Sequence, residues 1–105
     1  MLDVFQGKRT FEGQTIGLEV HDTSGDPHLG VNRQVCYNRT DCFMLCVAVN
    51  ARTSFENLIR WKTEIRQVCP DTPIILIGTK SDLRGSVENP VTLNELQAKA
   101  REMGF

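Results

Sequence analysis

Long apolar runs are scarce in this sequence. The longest, Cys42 to Val49, has eight residues, far short of the ~20 that carry a helix across a bilayer. No transmembrane anchor is expected, and the first residues carry neither the basic nor the apolar region of a signal peptide. Charge of one sign is missing too. Twelve Lys and Arg stand against thirteen Asp and Glu, for a formal charge of -1, and the pI is near 6.1. With no basic run, the chain has no electrostatic footprint for nucleic acid or an anionic membrane surface. The four cysteines form no C-x-x-C pair and no zinc-finger spacing with the two histidines, so free thiols are expected rather than a metal site or disulfide. Cys42 and Cys46, inside the apolar run, read as buried small hydrophobes. Asn38-Arg39-Thr40 matches the glycosylation pattern, which needs a secretory route that nothing here shows. What remains, 40% apolar and 24% charged over 105 residues, has the balance of one small globular domain, residues 1–105, of cytoplasmic type.

Order along the chain points to an α/β fold. Residues 1–15 offer two candidate turns, Gly7 and Glu12-Gly13-Gln14, and so at best a short edge hairpin. Ile16, Leu18 and Val20 alternate with Gly17 and Glu19, as in a strand with one buried face. Ser24 to Asn38 is polar, with glycines and a proline, and reads as a loop with at most an irregular helical turn. Cys42–Val49 and Ile74–Ile77 are apolar at every position, which predicts strands buried on both faces. Between them, Thr53-Ser54-Phe55-Glu56 is a capping box, opening a helix with Phe55, Leu58, Ile59, Ile65 and Val68 on one stripe. A second box, Thr92-Leu93-Asn94-Glu95, opens a helix with Leu93, Leu96, Ala100 and Met103 on one face and Gly104 at its end. Strand, helix, strand, helix predicts a mostly parallel sheet.

The stretch that carries chemistry is Ile74 to Arg84, IILIGTKSDLR. Its polar residues follow an apolar strand, at the strand end where open α/β sheets present groups to ligands. A solvated turn is the plain reading of Thr79, Lys80 and Asp82. Yet Thr-Lys-x-Asp here resembles the guanine-specificity motif of Ras-like GTPases, and Asp22-Thr23-Ser24-Gly25 resembles their switch II opening, Asp-x-x-Gly. Between the two, SFENLIRWKTEIRQVCPDTPIILIGTKSDLR is similar to the Rho family in particular, with its tryptophan-containing helix, Cys-Pro-x-Thr-Pro turn and Ile-Ile-Leu strand. The resemblance runs from Gln14 to Gly104.

It implies roles. Asp82 would accept from guanine's ring N–H and exocyclic amine, an edge that only donates to a group that only accepts. The Lys80 stem would lie along the base, Thr79 would brace the loop, and Leu83 would complete the base site. Asp22 would hold Mg²⁺ through a water, and the Gly25 N–H would contact the γ-phosphate of GTP. The switch II-like loop 23–38 would be read by effector and regulator proteins.

Departures from the pattern are equally definite. Asp26 stands where hydrolytically active members carry the glutamine that orients water, and Pro27 where an acid is usual. A carboxylate ~4 Å from a γ-phosphate at an effective dielectric near 20 adds ~4 kcal/mol of repulsion before screening, so weak or absent hydrolysis is expected. Thr-Ser-Gly-x-Pro also resembles the Rnd branch, and Gly25-Asp26 before His28 the GTPase-like domain of RhoBTB proteins. No G-x-x-x-x-G-K-S/T occurs, so the phosphate cradle is missing. Met1 to Phe5 would begin after switch I, and Met103-Gly104-Phe105 would precede the last strand and helix. Gly85 to Asn89 is shorter than the Rho insert helix.

The expected fold is thus a partial P-loop GTPase-like one, lacking the first strand, P-loop and first helix as well as the last strand and helix. Two right-handed crossovers running the same way put both helices on one face of the sheet. The uncovered face is a candidate for self-association. The sequence supports a Rho-type guanine-nucleotide switch; the alternative is a nucleotide-free interaction module with no cofactor. His21 reads as a hydrogen-bonded structural histidine, His28 as a solvated one. Trp61 is a partial packing residue or a partner contact.

Overall fold

The computed structural model describes residues 3–105, apart from the side chain of Pro27. Met1 and Leu2, with which the expected start after switch I opens, lie outside the described residues. The chain divides into two compact units, residues 1–36 and 37–105.

In the first unit, β1 (Asp3–Phe11) pairs antiparallel with β2 (Gln14–Asp22) in full register, Phe11 opposite Gln14 and Asp3 opposite Asp22. The hairpin is longer than the sequence suggested. Gly7 is not a turn but sits mid-strand opposite Leu18. The chain reverses at Glu12 and Gly13 alone, whose φ values of 49° and 78° suit the mirror-image two-residue turn that matches strand twist. Strand alternation gathers Phe5, Phe11, Ile16, Leu18 and Val20 on one face, all exposed. His21 Nε2 lies 2.6 Å from Glu19 Oε1, the hydrogen-bonded role expected of it. That bond, first among the causes, holds the Glu19 carboxyl below its ordinary range.

Ser24 to Asn38 is more regular than a loop. A 3-10 turn at Pro27–Leu29 leads into α1 (Gly30–Tyr37). Apolar periodicity missed this helix because its buried positions are Arg33 and Tyr37, while Val31 and Val35 face outward.

The second unit is built on β3 (Phe43–Ala48) and β4 (Ile74–Thr79), paired in parallel with Phe43 opposite Ile74 and Ala48 opposite Thr79. Between them run α2 (Arg52–Glu56) and α3 (Leu58–Val68), and α4 (Leu93–Met103) follows. Phe43, Leu45, Val47 and Ile74 form one core with Leu58, Ile65, Val91 and Leu96, so the helices cover one face, as the crossover rule requires. The other face corrects the expectation of doubly buried strands. β3 alternates buried and exposed, with Met44, Cys46 and Ile75 open. None of the four cysteines forms a disulfide, and Cys42 and Cys46 are exposed rather than buried, because the helices of the second unit lie on the other face of β3.

Helix starts divide similarly. At Thr92 the capping box forms: Thr92 Oγ1 accepts from the Glu95 N–H at 3.1 Å, and the Thr92 N–H reaches Glu95 Oε1 at 3.3 Å. Gly104, at φ 77°, closes the helix. Leu93 points outward, so the buried stripe of α4 begins at Leu96. At Thr53 no box forms. Ala51 is the cap residue without a side-chain cap bond, and the Ser54 hydroxyl accepts from the Ala48 N–H at 3.0 Å, drawing the first turn onto the end of β3. The helix is interrupted at Asn57, and Ile59 is exposed. Trp61 packs partly against the core.

One guanidinium ties the unit together. Arg52 donates to both Glu95 carboxylate oxygens, at 2.7 and 3.1 Å, and to the Pro90 carbonyl at 2.9 Å. It also reaches Asn89 Oδ1 at 3.2 Å. Helix α4 meanwhile approaches the sheet where Gly78 leaves room. A Cβ there would lie 2.8 Å from Leu96 Cδ1 and 3.1 Å from Val49 Cγ1.

Gly78→Val should therefore cost about 2 kcal/mol in denaturant unfolding, because Val49 and Leu96 are buried and cannot both retreat. The Arg52 bond, then the Thr92 backbone N–H, lowers the Glu95 carboxyl from 4.5 to about 2. A depressed carboxylate contributes stability in full above its unfolded value and loses it as pH falls through its folded one. In Arg52→Ala, acid unfolding followed between pH 4.5 and 2 should begin at higher pH than in the native chain.

Candidate functional site

The candidate residues lie on both units: Asp22, Gly25 and Asp26 on the first, Thr79, Lys80, Asp82 and Leu83 on the second. On the second, the parallel pair ends in cross-strand bonds. The Val49 N–H donates to the Thr79 carbonyl at 3.0 Å and Thr79 Oγ1 donates to the Val47 carbonyl at 3.2 Å. Thr79 thus binds the end of β4 to β3 with both backbone and side chain. The chain then turns sharply. Lys80 adopts the left-handed conformation, φ 59° and ψ 36°, and a 3-10 turn, Ser81–Ser86, follows. The Leu83 N–H returns to the Lys80 carbonyl at 2.9 Å, and Ser86 Oγ reaches the Leu83 carbonyl at 2.6 Å. Arg84 fixes the far side, its Nε and one terminal nitrogen donating to the Val91 carbonyl at 3.2 and 3.1 Å. Asp82 and Leu83 are carried on this braced turn, both exposed. The result is an outward carboxylate on a rigid support directly beyond the strand.

On the first unit, Asp22 closes β2 and is exposed. The loop beyond it bonds to itself. The Asp26 N–H donates to Ser24 Oγ at 3.1 Å, and Asp26 Oδ1 accepts from the His28 N–H at 2.9 Å, capping the 3-10 turn. Arg33, 4% exposed, donates to the Ser24 carbonyl at 2.9 Å and to the Asp26 carbonyl by a short bond. Gly25, between these carbonyls, has no positive φ, and a Cβ built on it would meet nothing within 4 Å. No atom among the described residues therefore requires glycine at this position.

A family model for the Ras family matches residues 1–105. The chain belongs to the Ras family. Rho-related GTP-binding protein RhoV of Bos taurus is 36% identical over 95 residues, covering 90% of this chain and 40% of that protein. The proteins of that name from Homo sapiens and Mus musculus are 35% identical over the same length and shares. Within the Ras family the chain is Rho-like. It spans about 40% of the length of these curated relatives.

Donor and acceptor chemistry fits a guanine nucleotide at its base end. A carboxylate that only accepts suits the donor edge of guanine, and Asp82 is free to offer it outward. At the phosphate end the fit is thinner. Gly25 leaves space at its Cβ, while no G-x-x-x-x-G-K-S/T is present. For magnesium, the described residues hold no group of three or more His, Cys, Asp or Glu placed to bind a metal. Sequence reading passed over two residues. Arg33 gave no signal because an arginine in a polar stretch reads as solvated. Asn50, two residues past β3, leaves its Oδ1 buried without a hydrogen-bond partner among the described residues, and no pattern marks it.

The Lys80 backbone supplies a test. A non-glycine residue in the left-handed region carries roughly 1–2 kcal/mol of strain that glycine avoids. Lys80→Gly should be more stable than Lys80→Ala by about 1 kcal/mol in thermal unfolding. A difference of opposite sign would mean that the turn does not hold this conformation.

Proposed function

We propose that the chain is the guanine-binding part of a Rho-type signalling GTPase of cytoplasmic type that hydrolyses GTP weakly or not at all. The observation that carries this reading is the Asp82 carboxylate, exposed on a turn braced by Thr79 and Arg84 directly after a parallel strand. In the reading, Asp82 accepts from the base, the Lys80 stem lies along it, and Leu83 borders it. Thr79 keeps the strand end in place. GTP or GDP with Mg²⁺ supplies the phosphate charge. The Gly25 N–H would contact the γ-phosphate, and Asp22 would hold the metal through a water. The family model spans both units, which supports treating residues 1–105 as one GTPase-like domain.

Impaired hydrolysis rests on Asp26. A carboxylate adds like charge beside a phosphate and lacks the amide N–H of the family's glutamine. Its acceptance of the His28 N–H supports the same conclusion by committing the side chain to the 3-10 turn. The loop 23–38 is the surface offered to effector and regulator proteins. A second reading is favoured by the open side of β3 and β4. Met44, 56% exposed, and Ile75, 52% exposed, stand on a face that a protein partner or a second copy would cover. In that reading the chain is an interaction module without nucleotide.

Calorimetry of GDP and a non-hydrolysable GTP analogue, each with and without Mg²⁺, separates the two. The nucleotide reading expects binding tighter than ~10 μM, about 7 kcal/mol, weakened at least tenfold by Asp82→Ala. Absence of binding to the native chain would sink that reading. The interaction module would then be left, with concentration-dependent mass in sedimentation as its mark.

A further inference from the structure

Ser24 and Asp26 flank Gly25, and one side chain grips both of their carbonyls. Arg33 reaches them from α1, and its burial matters. A desolvated guanidinium keeps its place only while its donors are satisfied, so moving the loop away would leave buried charge without those acceptors. The loop adds two bonds of its own, Asp26 N–H to Ser24 Oγ and His28 N–H to Asp26 Oδ1, and the Leu29 N–H returns to the Asp26 carbonyl at 3.1 Å. All these partners belong to the chain itself.

We infer that Arg33 is a positioning residue, which sets the peptides on either side of Gly25 before any nucleotide arrives. The backbone on either side of Gly25 is then set by the chain's own bonds, and a triphosphate meets a prepared contact. The phosphate part rests on the nucleotide reading above; the preformed loop does not. Both bonds come from one terminal nitrogen of Arg33; on a planar guanidinium its donor directions are fixed, whereas lysine's ammonium is a compact point charge on a flexible stem. Asp26 has a part in the same arrangement. Its carbonyl is an acceptor for Arg33 and its carboxylate a cap, so the residue in the family's glutamine position is a structural member of the loop.

Amide exchange on the nucleotide-free chain tests this. The Asp26, His28 and Leu29 amides report the loop, and the Phe43 and Val49 amides, bonded to Pro73 and Thr79 carbonyls, report the second unit. Arg33→Ala should accelerate exchange of the loop amides at least tenfold and leave Phe43 and Val49 unchanged. Arg33→Lys should fall between it and the native chain. Unchanged loop exchange in Arg33→Ala would overturn the inference, as would equal acceleration of both sets, since Arg33 would then support folding at large. In a second arm, Arg33→Ala should reduce the preference for a GTP analogue over GDP at least fivefold, with GDP affinity held within twofold. An unaltered preference overturns the phosphate part. If the native chain binds neither nucleotide, the proposed function fails, and the exchange arm alone decides the role of Arg33.

Discussion

Phe43, Leu45 and Val47 on β3 and Ile74 on β4 meet Leu58, Ile65 and Leu96 on the helices, and the rest of residues 37–105 depends on that one apolar contact. Each fully buried aliphatic side chain contributes roughly 1.5–3 kcal/mol, and Val47, Val49, Leu58 and Val91 are among the most completely enclosed. Because the core lies on a single side, both helices must settle there, and α4 can do so closely only where Gly78 has no side chain. The strand ends then emerge at a fixed place, and the turn carrying Asp82 inherits its rigidity from them. In the proposed nucleotide reading the Asp82 carboxylate needs that support, since an acceptor misplaced by an ångström loses much of its effect.

The first unit is held differently. Its hairpin rests on backbone pairing and a two-residue turn, with the apolar side chains of one face exposed. Beyond the hairpin, polar groups take over: a serine hydroxyl, an aspartate cap and a buried guanidinium fix the loop that follows Asp22. Hydrophobic packing fixes the strand end from which the Asp82 turn leaves, and hydrogen bonds then brace the turn, whereas the loop after Asp22 rests on directional bonds alone. The difference matters for a signalling fold. Such a loop is held by the placement of its donors and acceptors, not by buried apolar area, so losing one buried partner is felt throughout it.

Much of the fold was legible because its signals are local. Apolar runs marked β3 and β4, and the Thr92-to-Glu95 spacing marked the start of α4, since a capping box is made by residues three apart. The residues proposed to read the base, Thr79, Lys80, Asp82 and Leu83, could be named from Ile74 to Arg84 alone. Helix α1 could not, because its buried side is an arginine and a tyrosine. The Thr53 box was misleading, as Ser54 found the Ala48 N–H instead. The Arg52 clamp joins residues 43 apart in sequence, and no periodicity reports such a pairing.

By itself the sequence determined the strands β3 and β4, the helices between and after them in that order, and the chemical class of residue at each strand end. These follow from periods, caps and glycines that act within a few residues. Only the tertiary structure decided which strand faces are covered, where the thiols of Cys42 and Cys46 point, and which groups Arg33 and Arg52 hold. Those outcomes depend on which distant segment occupies each side of the sheet. A strand apolar at every position reads the same in sequence whether one of its faces is covered or both, because burial belongs to the neighbour that arrives and not to the residue itself.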